Sequence, residues 1–273
     1  MKTVKTILLT LIATLVIFAG TSLAQEQIAV PLSNPGQPGK LSLKLVLGSI
    51  KVTGYEGNEV VIRHTDLGRG MALMNDSDND EDREGLRRIS RPASGFEVNE
   101  HNNTVTISRI SPVRSVDFEI LVPTRFSLTL GSVNGDYLTV ENVHGDHEIS
   151  HVNGNIELRD ISGSAVVNTV NGNIIATFSR VTPDKPMSFG NINGRIDVTL
   201  PANTRFSTKM RSEMGEMFTD FDFNEQESGR TDEHTRNGRF RVQMNNWVIA
   251  DVNGGGPEYL FRTLRGNIYL RSR

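Results

Sequence analysis

No cysteine occurs anywhere in this chain of 273 residues. Disulfides and thiolate metal sites are thereby excluded, and packing and hydrogen bonds alone must hold the fold. Tryptophan is almost missing too: Trp247 is the only one, and aromatic residues make up 6% of the chain. A surplus of positive charge is absent. The formal net charge is −3, and loss of Lys2 and Lys5 with the N-terminal segment described below takes it to −5. That is not the footprint of a nucleic-acid binder. After residue 24 no run is long and apolar enough to cross a membrane as a helix, and no stretch shows helical periodicity.

The first 24 residues read as a signal peptide. Lys2 and Lys5 give a positive start, Ile7 to Ala19 an apolar core, and Ser22-Leu23-Ala24 a small-residue cleavage site before Gln25. No cysteine follows to take a lipid, so an exported chain without a lipoprotein anchor is expected, in the periplasm, at the cell surface or outside the cell. Residues 25–40 carry Pro31, Pro35, Pro38, Gly36 and Gly39 without periodicity and read as a flexible, exposed lead-in.

From Leu41 the pattern is that of strands. Leu41-Ser-Leu-Lys-Leu-Val-Leu alternates at period two, and Ile50-Lys-Val, Val60-Val-Ile, Thr104-Val-Thr-Ile and Val116-Asp-Phe-Glu-Ile-Leu-Val follow in kind. Residues 66–96 read as a polar, acidic loop and 210–239 as a charged insertion. The expectation is a single all-β domain over 41–273.

Six segments in the middle join an aliphatic residue, a small polar one and glycine: Val133-Asn134-Gly135, Val143-His144-Gly145, Val152-Asn153-Gly154, Ile161-Ser162-Gly163, Val170-Asn171-Gly172 and Ile192-Asn193-Gly194. Their glycines fall 10, 9, 9, 9 and then 22 residues apart. So short a repeat means an architecture of stacked units. Counted from each glycine, apolar residues recur at +2 (Ile156, Ile174, Ile196), at +4 (Ile149, Leu158, Val167, Val198) and at −2 (Val152, Ile161, Val170). Asn-Gly hairpins would place Val152 on the opposite face from Ile156 and Leu158, and one buried face cannot hold both sets. A parallel β-solenoid removes the conflict if every corner flips the parity and brings the −2 residues inside. Corners with and without Asn alternate, so two units make a coil of 18 to 19 residues. Asn134, Asn153, Asn171 and Asn193 are then expected to stack as an amide ladder beside Gly135, Gly154, Gly172 and Gly194.

The ordered set resembles the bacterial "putative adhesin" domain of unknown function, an exported repeat β-solenoid. The resemblance rests on Ser49-Ile-Lys-Val-Thr-Gly-Tyr-Glu-Gly with Val60-Val-Ile, the Val-Asn-Gly-Asn repeats, and Asn191-Ile-Asn-Gly-Arg-Ile-Asp-Val-Thr-Leu-Pro. Val252-Asn-Gly-Gly-Gly-Pro-Glu and Arg262-Thr-Leu-Arg-Gly-Asn-Ile-Tyr-Leu-Arg complete it, so that it spans Leu41 to Arg273. It implies the fold and an exported location, and it supplies no catalytic residues.

Local chemistry is sparse. Asp76, Asp78, Asp80 and Asp82 alternate in the acidic run and form a weak candidate calcium loop, but Glu81 and Arg87 occupy the positions where an EF-hand needs glycine and glutamate. His144, Asp146, His147 and His151 resemble a zinc cluster, yet the repeat puts the three histidines at a corner, inside, and facing solvent. The outward +3 column holds Leu138, Glu157, Ile175 and Asp197 on one face, with Glu148 and Val166 on the other. Glu157 and Asp197 are thus two coils apart, too far for a pair of glycosidase carboxyls. Arg236, Arg239, Arg241, Arg262, Arg265, Arg271 and Arg273 make the C-terminal part locally basic.

The expected function is therefore an adhesin, or a cell-envelope scaffold or binding module, that is not an enzyme. It would need no cofactor unless calcium fills the acidic loop, and its partner would be an envelope protein or glycan. Two alternatives stay open: a polysaccharide-processing enzyme using Glu213, Glu216, Asp220 and Asp222, or a periplasmic component of an envelope-sensing system.

Overall fold

The computed structural model describes residues 27–69, 95–109, 114–226, 232–236, 239–243 and 247–273. The signal segment 1–24 and the acidic run with Asp76, Asp78, Asp80 and Asp82 lie outside the described residues. Within them every element is a strand, and all but one two-stranded hairpin belong to one large sheet that is mostly parallel. The sheet winds as a solenoid, each rung giving one strand to each of two faces.

Spatial order and chain order differ at both ends. The rungs run from Thr104–Arg109 with Arg114–Pro123 (rung 1), through Gly39–Leu47 with Ile50–Tyr55 (rung 2), to Phe126–Glu141 (rung 3). The long bent strand His144–Asn171 provides rung 4 and half of rung 5, which Ile174–Val181 completes. Met187–Asn193 with Ile196–Leu200 is rung 6. Rung 7 then comes from the C-terminus, Glu258–Arg265 with Ile268–Ser272, and rung 8 from Phe206–Ser212 with Met217–Thr219. Rungs 2 and 7 are thus threaded inside the rungs that cap them, while Gln27–Pro31, in the segment expected as an exposed lead-in, is a strand paired with Glu59–Arg69 at the outer edge and buries Val30. Antiparallel strands cover both strands of rung 1, through Phe96–His101 and Glu59–Arg69, and the Phe206–Ser212 strand of rung 8, through Val248–Val252. They close edges that would otherwise template pairing with another chain.

Identical neighbours stack because the register carries each inward residue onto its counterpart. Ile50, Leu138, Ile156, Ile174, Ile196 and Ile268 form one fully buried column, and Val52, Val140, Leu158, Ala176, Val198 and Leu270 the next. Each large aliphatic side chain buried in this way contributes about 1.5–3 kcal/mol. Leu138 was expected outside at +3. It is inside, because a bulge between Asn134 and Tyr137 shifts that strand by one residue.

The corners also differ from expectation. At the Asn-free corners the −2 residues Val143 and Ile161 are buried, but at the Asn corners they turn outward, with Val133 38% and Ile192 43% exposed. Val152 and Val170 are likewise only half-buried. The cause is the glycine carbonyl, which faces inward at the Asn corner and needs a donor there. The −3 side chain of the adjacent rung supplies it. Ser132 Oγ donates to the Gly48 carbonyl at 2.8 Å, Asn191 Nδ2 to that of Gly172 at 3.1 Å and Ser212 Oγ to that of Gly266 at 2.8 Å. With a polar −3 residue inside, strand alternation sends the −2 aliphatic out.

Candidate ligand-binding surfaces

The two edges of the solenoid are built differently. Along the Asn edge the amides join rung to rung: Asn153 Nδ2 donates to Asn134 Oδ1 at 2.7 Å, Asn171 to Asn153 at 2.8 Å and Asn193 to Asn171 at 2.7 Å. Beneath them Gly48, Gly135, Gly154, Gly172, Gly194, Gly266 and Gly215 stack in a column. A Cβ on Gly172 would sit 2.0 Å from the Gly154 carbonyl oxygen, so nothing larger fits. Beside the ladder runs a stripe of outward aliphatics, Val46, Val133, Val152, Val170, Ile192 and Leu264, one per rung over about 24 Å.

The opposite edge departs from the repeat. The loops 182–186, 201–205 and 253–257 bulge from it and enclose an open cleft of about 750 Å³. Its walls are tied together. Asn253 Nδ2 donates to the Ala202 carbonyl at 2.9 Å and the Thr204 carbonyl at 2.7 Å, and Thr204 Oγ1 returns a bond to Pro201 at 2.7 Å. Arg180, Arg205, Asp184 and Asn203 line the cleft, with Val181, Pro183, Pro201 and Pro257 between them. Tyr259 lies at its base, buried, and burial pushes its phenol up to about 12. Arg180 borders a second cleft of about 360 Å³ as well, which adds Arg125, His144 and the Asp146–Lys185 pair. The ammonium of Lys185, 2.6 Å from Asp146 Oδ2, holds that carboxyl below its usual range.

On the second outward face, charges pair and aromatics stack. Arg159 binds Glu141 at 2.6 Å and Glu157 at 2.8 Å, while Arg271 binds Asp197 at 2.8 Å. Phe218 stacks on Tyr269 with ring centres 5.1 Å apart, and the Arg271 guanidinium lies over the Tyr269 ring. Glu157 and Asp197 share one column with Ile175 between them, each held by an arginine.

The histidines are not a cluster. His144 is partly exposed at the corner, and His147 is 3% exposed inside, its Nε2 3.2 Å from the Ser162 carbonyl. Burial pulls His147 down to about 4. His151 was expected to face solvent. It is 2% exposed, because it occupies the inward −3 position, and its Nδ1 lies 2.9 Å from the Ser132 carbonyl. Among the described residues no three His, Asp or Glu side chains converge on a metal position. The carboxylates of the charged segment are dispersed: Glu213 pairs with Arg211 at 2.6 Å, and Asp220 accepts the Ser272 N–H at 2.6 Å. Of the C-terminal arginines, Arg271 and Arg273 are held by Asp197 and Asp160.

Sequence reasoning missed the cleft, since its three loops are far apart in the chain. It also missed the aliphatic stripe, although the polar −3 residues Ser132, His151, Thr169 and Asn191 were its signal.

The family described as Toastrack DUF4097 matches residues 40–246. A crystal structure of a "putative cell adhesion protein" from Clostridium sporogenes ATCC 15579 superposes with a TM-score of 0.42 at 11% identity, covering 91% of this chain and 99% of that one. One of a "putative adhesin" from Bacteroides fragilis NCTC 9343 does so with a TM-score of 0.39 at 10% identity, covering 90% and 96%. No curated protein matches the chain.

Proposed function

We propose that this chain, which belongs to the Toastrack DUF4097 family of unknown function, is an exported, non-enzymatic binding module of the cell envelope. Its solenoid is the rigid frame, and an envelope glycan or protein is the partner. The observation that carries this reading is the contrast between a frame closed by repeated internal bonds and one edge whose loops enclose a cleft of about 750 Å³, about twice the volume of the 370 Å³ cleft beside Ile192 and Leu264 at the Asn edge. Binding sites in general sit on loops that a rigid scaffold positions. The dispersal of carboxylates also favours binding over hydrolysis, which needs two of them about 5–9.5 Å apart across one bond. Export rests on the N-terminal segment, and the acidic run around Asp76, Asp78, Asp80 and Asp82 is a candidate for calcium-dependent contact.

The test is a binding screen of the chain without residues 1–24 against envelope extract and a glycan array, with calcium and with chelator. The folded protein is expected to retain at least one component that heat-unfolded protein does not. Retention of nothing contradicts the reading, and turnover of a polysaccharide in the same mixtures would replace it with the enzymatic one.

A further inference from the structure

The larger cleft has a chemistry of its own. Arg180 and Arg205 are exposed on it, and neither guanidinium makes a hydrogen bond or ion pair among the described residues. Four other arginines are taken up by acids: Arg159 by two glutamates, Arg271 by Asp197, Arg273 by Asp160 and Arg211 by Glu213. Two free guanidiniums facing one concave space are a receptor for an anion, because the planar fork matches a carboxylate in paired hydrogen bonds.

The rest of the lining narrows the anion further. Asp184 and Asn203 present oxygen acceptors to the same space. A carboxylate beside two guanidiniums disfavours a small bare anion but accepts hydroxyl protons. The prolines and Val181 give aliphatic surface for the C–H faces of a ring. A volume of about 750 Å³ falls in the usual range for an organic ligand, well above what a lone inorganic ion needs. Arg180 also opens onto the neighbouring cleft with Arg125, whose guanidinium is bonded to the Gly36 carbonyl and to no acid among the described residues. The groove therefore continues along the edge, as a chain-like ligand requires.

We infer that this groove binds a carboxylated saccharide, a uronic-acid-containing oligosaccharide, with Arg180 and Arg205 on its carboxylates and Asp184 and Asn203 on its hydroxyls. The inference rests on the binding-module reading and names the site and ligand class within it.

The experiment is calorimetric titration of the protein without residues 1–24 with oligogalacturonates and oligoglucuronates of two to six units, and with neutral oligosaccharides of the same lengths. Uronates are expected to bind and neutral chains not. Arg180→Gln with Arg205→Gln should weaken uronate binding by about 10- to 100-fold, while Arg265→Gln on the Asn edge leaves it unchanged. Both cleft arginines are exposed, so the variants should keep the wild-type melting temperature, which is measured alongside. Raising the salt should weaken binding of wild type more than of the double variant. Equal binding of neutral chains, or an undiminished double variant, overturns the inference, as does a folded wild type that binds no uronate. If envelope retention persists in those cases, the binding-module reading stands and this site assignment alone falls. If retention is absent as well, both fall.

Discussion

The Asn edge and the cleft edge both carry the chain from one face of the solenoid to the other, yet they treat their polar groups in opposite ways. On the Asn edge Asn134, Asn153, Asn171 and Asn193 bond to one another, and inward glycine carbonyls are met by Ser132, Asn191 and Ser212. The amides at that edge are committed to the fold. On the cleft edge the 182–186, 201–205 and 253–257 loops break the repeat, and the Arg180 and Arg205 side chains have no partner among the described residues. Regularity here holds the structure together, and departure from regularity is where a ligand finds free groups.

The sharpest break of this comparison is at its glycines. Gly172→Ala drives a Cβ into the Gly154 backbone on the Asn edge, and about 3 kcal/mol or more of stability should be lost. Gly254→Ala, on the cleft edge at φ +87, meets only the Arg205 side chain at 3.6 Å. It should cost about 1 kcal/mol, from backbone strain alone. Urea melts of the two variants check the ordering.

The inward residues extend the contrast. Ile161→Ala empties a fully buried site and should cost about 2–5 kcal/mol. Val152→Ala, which occupies the equivalent place in the repeat but faces outward, should cost about 0.5 kcal/mol or less. Equal losses would mean that the two corners share one parity.

These pairs mark how far the sequence could be read. Spacing of the glycines and the +2 and +4 aliphatics pointed to parallel stacking, because those features repeat wherever the register does. Rung order was not legible. Gly194-Arg-Ile-Asp-Val and Gly266-Asn-Ile-Tyr-Leu carry the same pattern, and nothing in either says that the second lies beside the first while Phe206–Ser212 lies beyond it. The cleft was hidden for the same reason, since Arg180 and Arg205 meet the 253–257 loop only once rung 7 is threaded between rungs 6 and 8. The opposite parity of the two corners was legible in principle, in the polar residues at −3.

His147 gives the comparison a pH axis. Its folded value is about 4 against an ordinary 6.5, so between those values the unfolded chain binds a proton that the folded chain refuses. Stability should therefore be complete above about pH 6.5 and fall by about 3 kcal/mol as pH drops through 4. His147→Leu, matching its neighbour Leu128, should flatten that part of the profile. An unchanged slope would place the acid sensitivity elsewhere.

The ladder itself should respond in proportion to the bonds removed. Asn153→Ala removes two amide bonds and Asn193→Ala one, at about 1 kcal/mol each. Thermal melts should rank Asn153→Ala below Asn193→Ala, and neither should change ligand binding.

The most direct test of the division between edges is envelope-extract retention by three proteins side by side. They are the wild type, the cleft variant Arg180→Gln/Arg205→Gln and the stripe variant Val133→Lys/Ile192→Lys. All four positions are exposed, so all three proteins should fold alike. The cleft variant is expected to lose the retained material and the stripe variant to keep it. Loss by the stripe variant with retention by the cleft variant would contradict the account and place binding on the Asn edge.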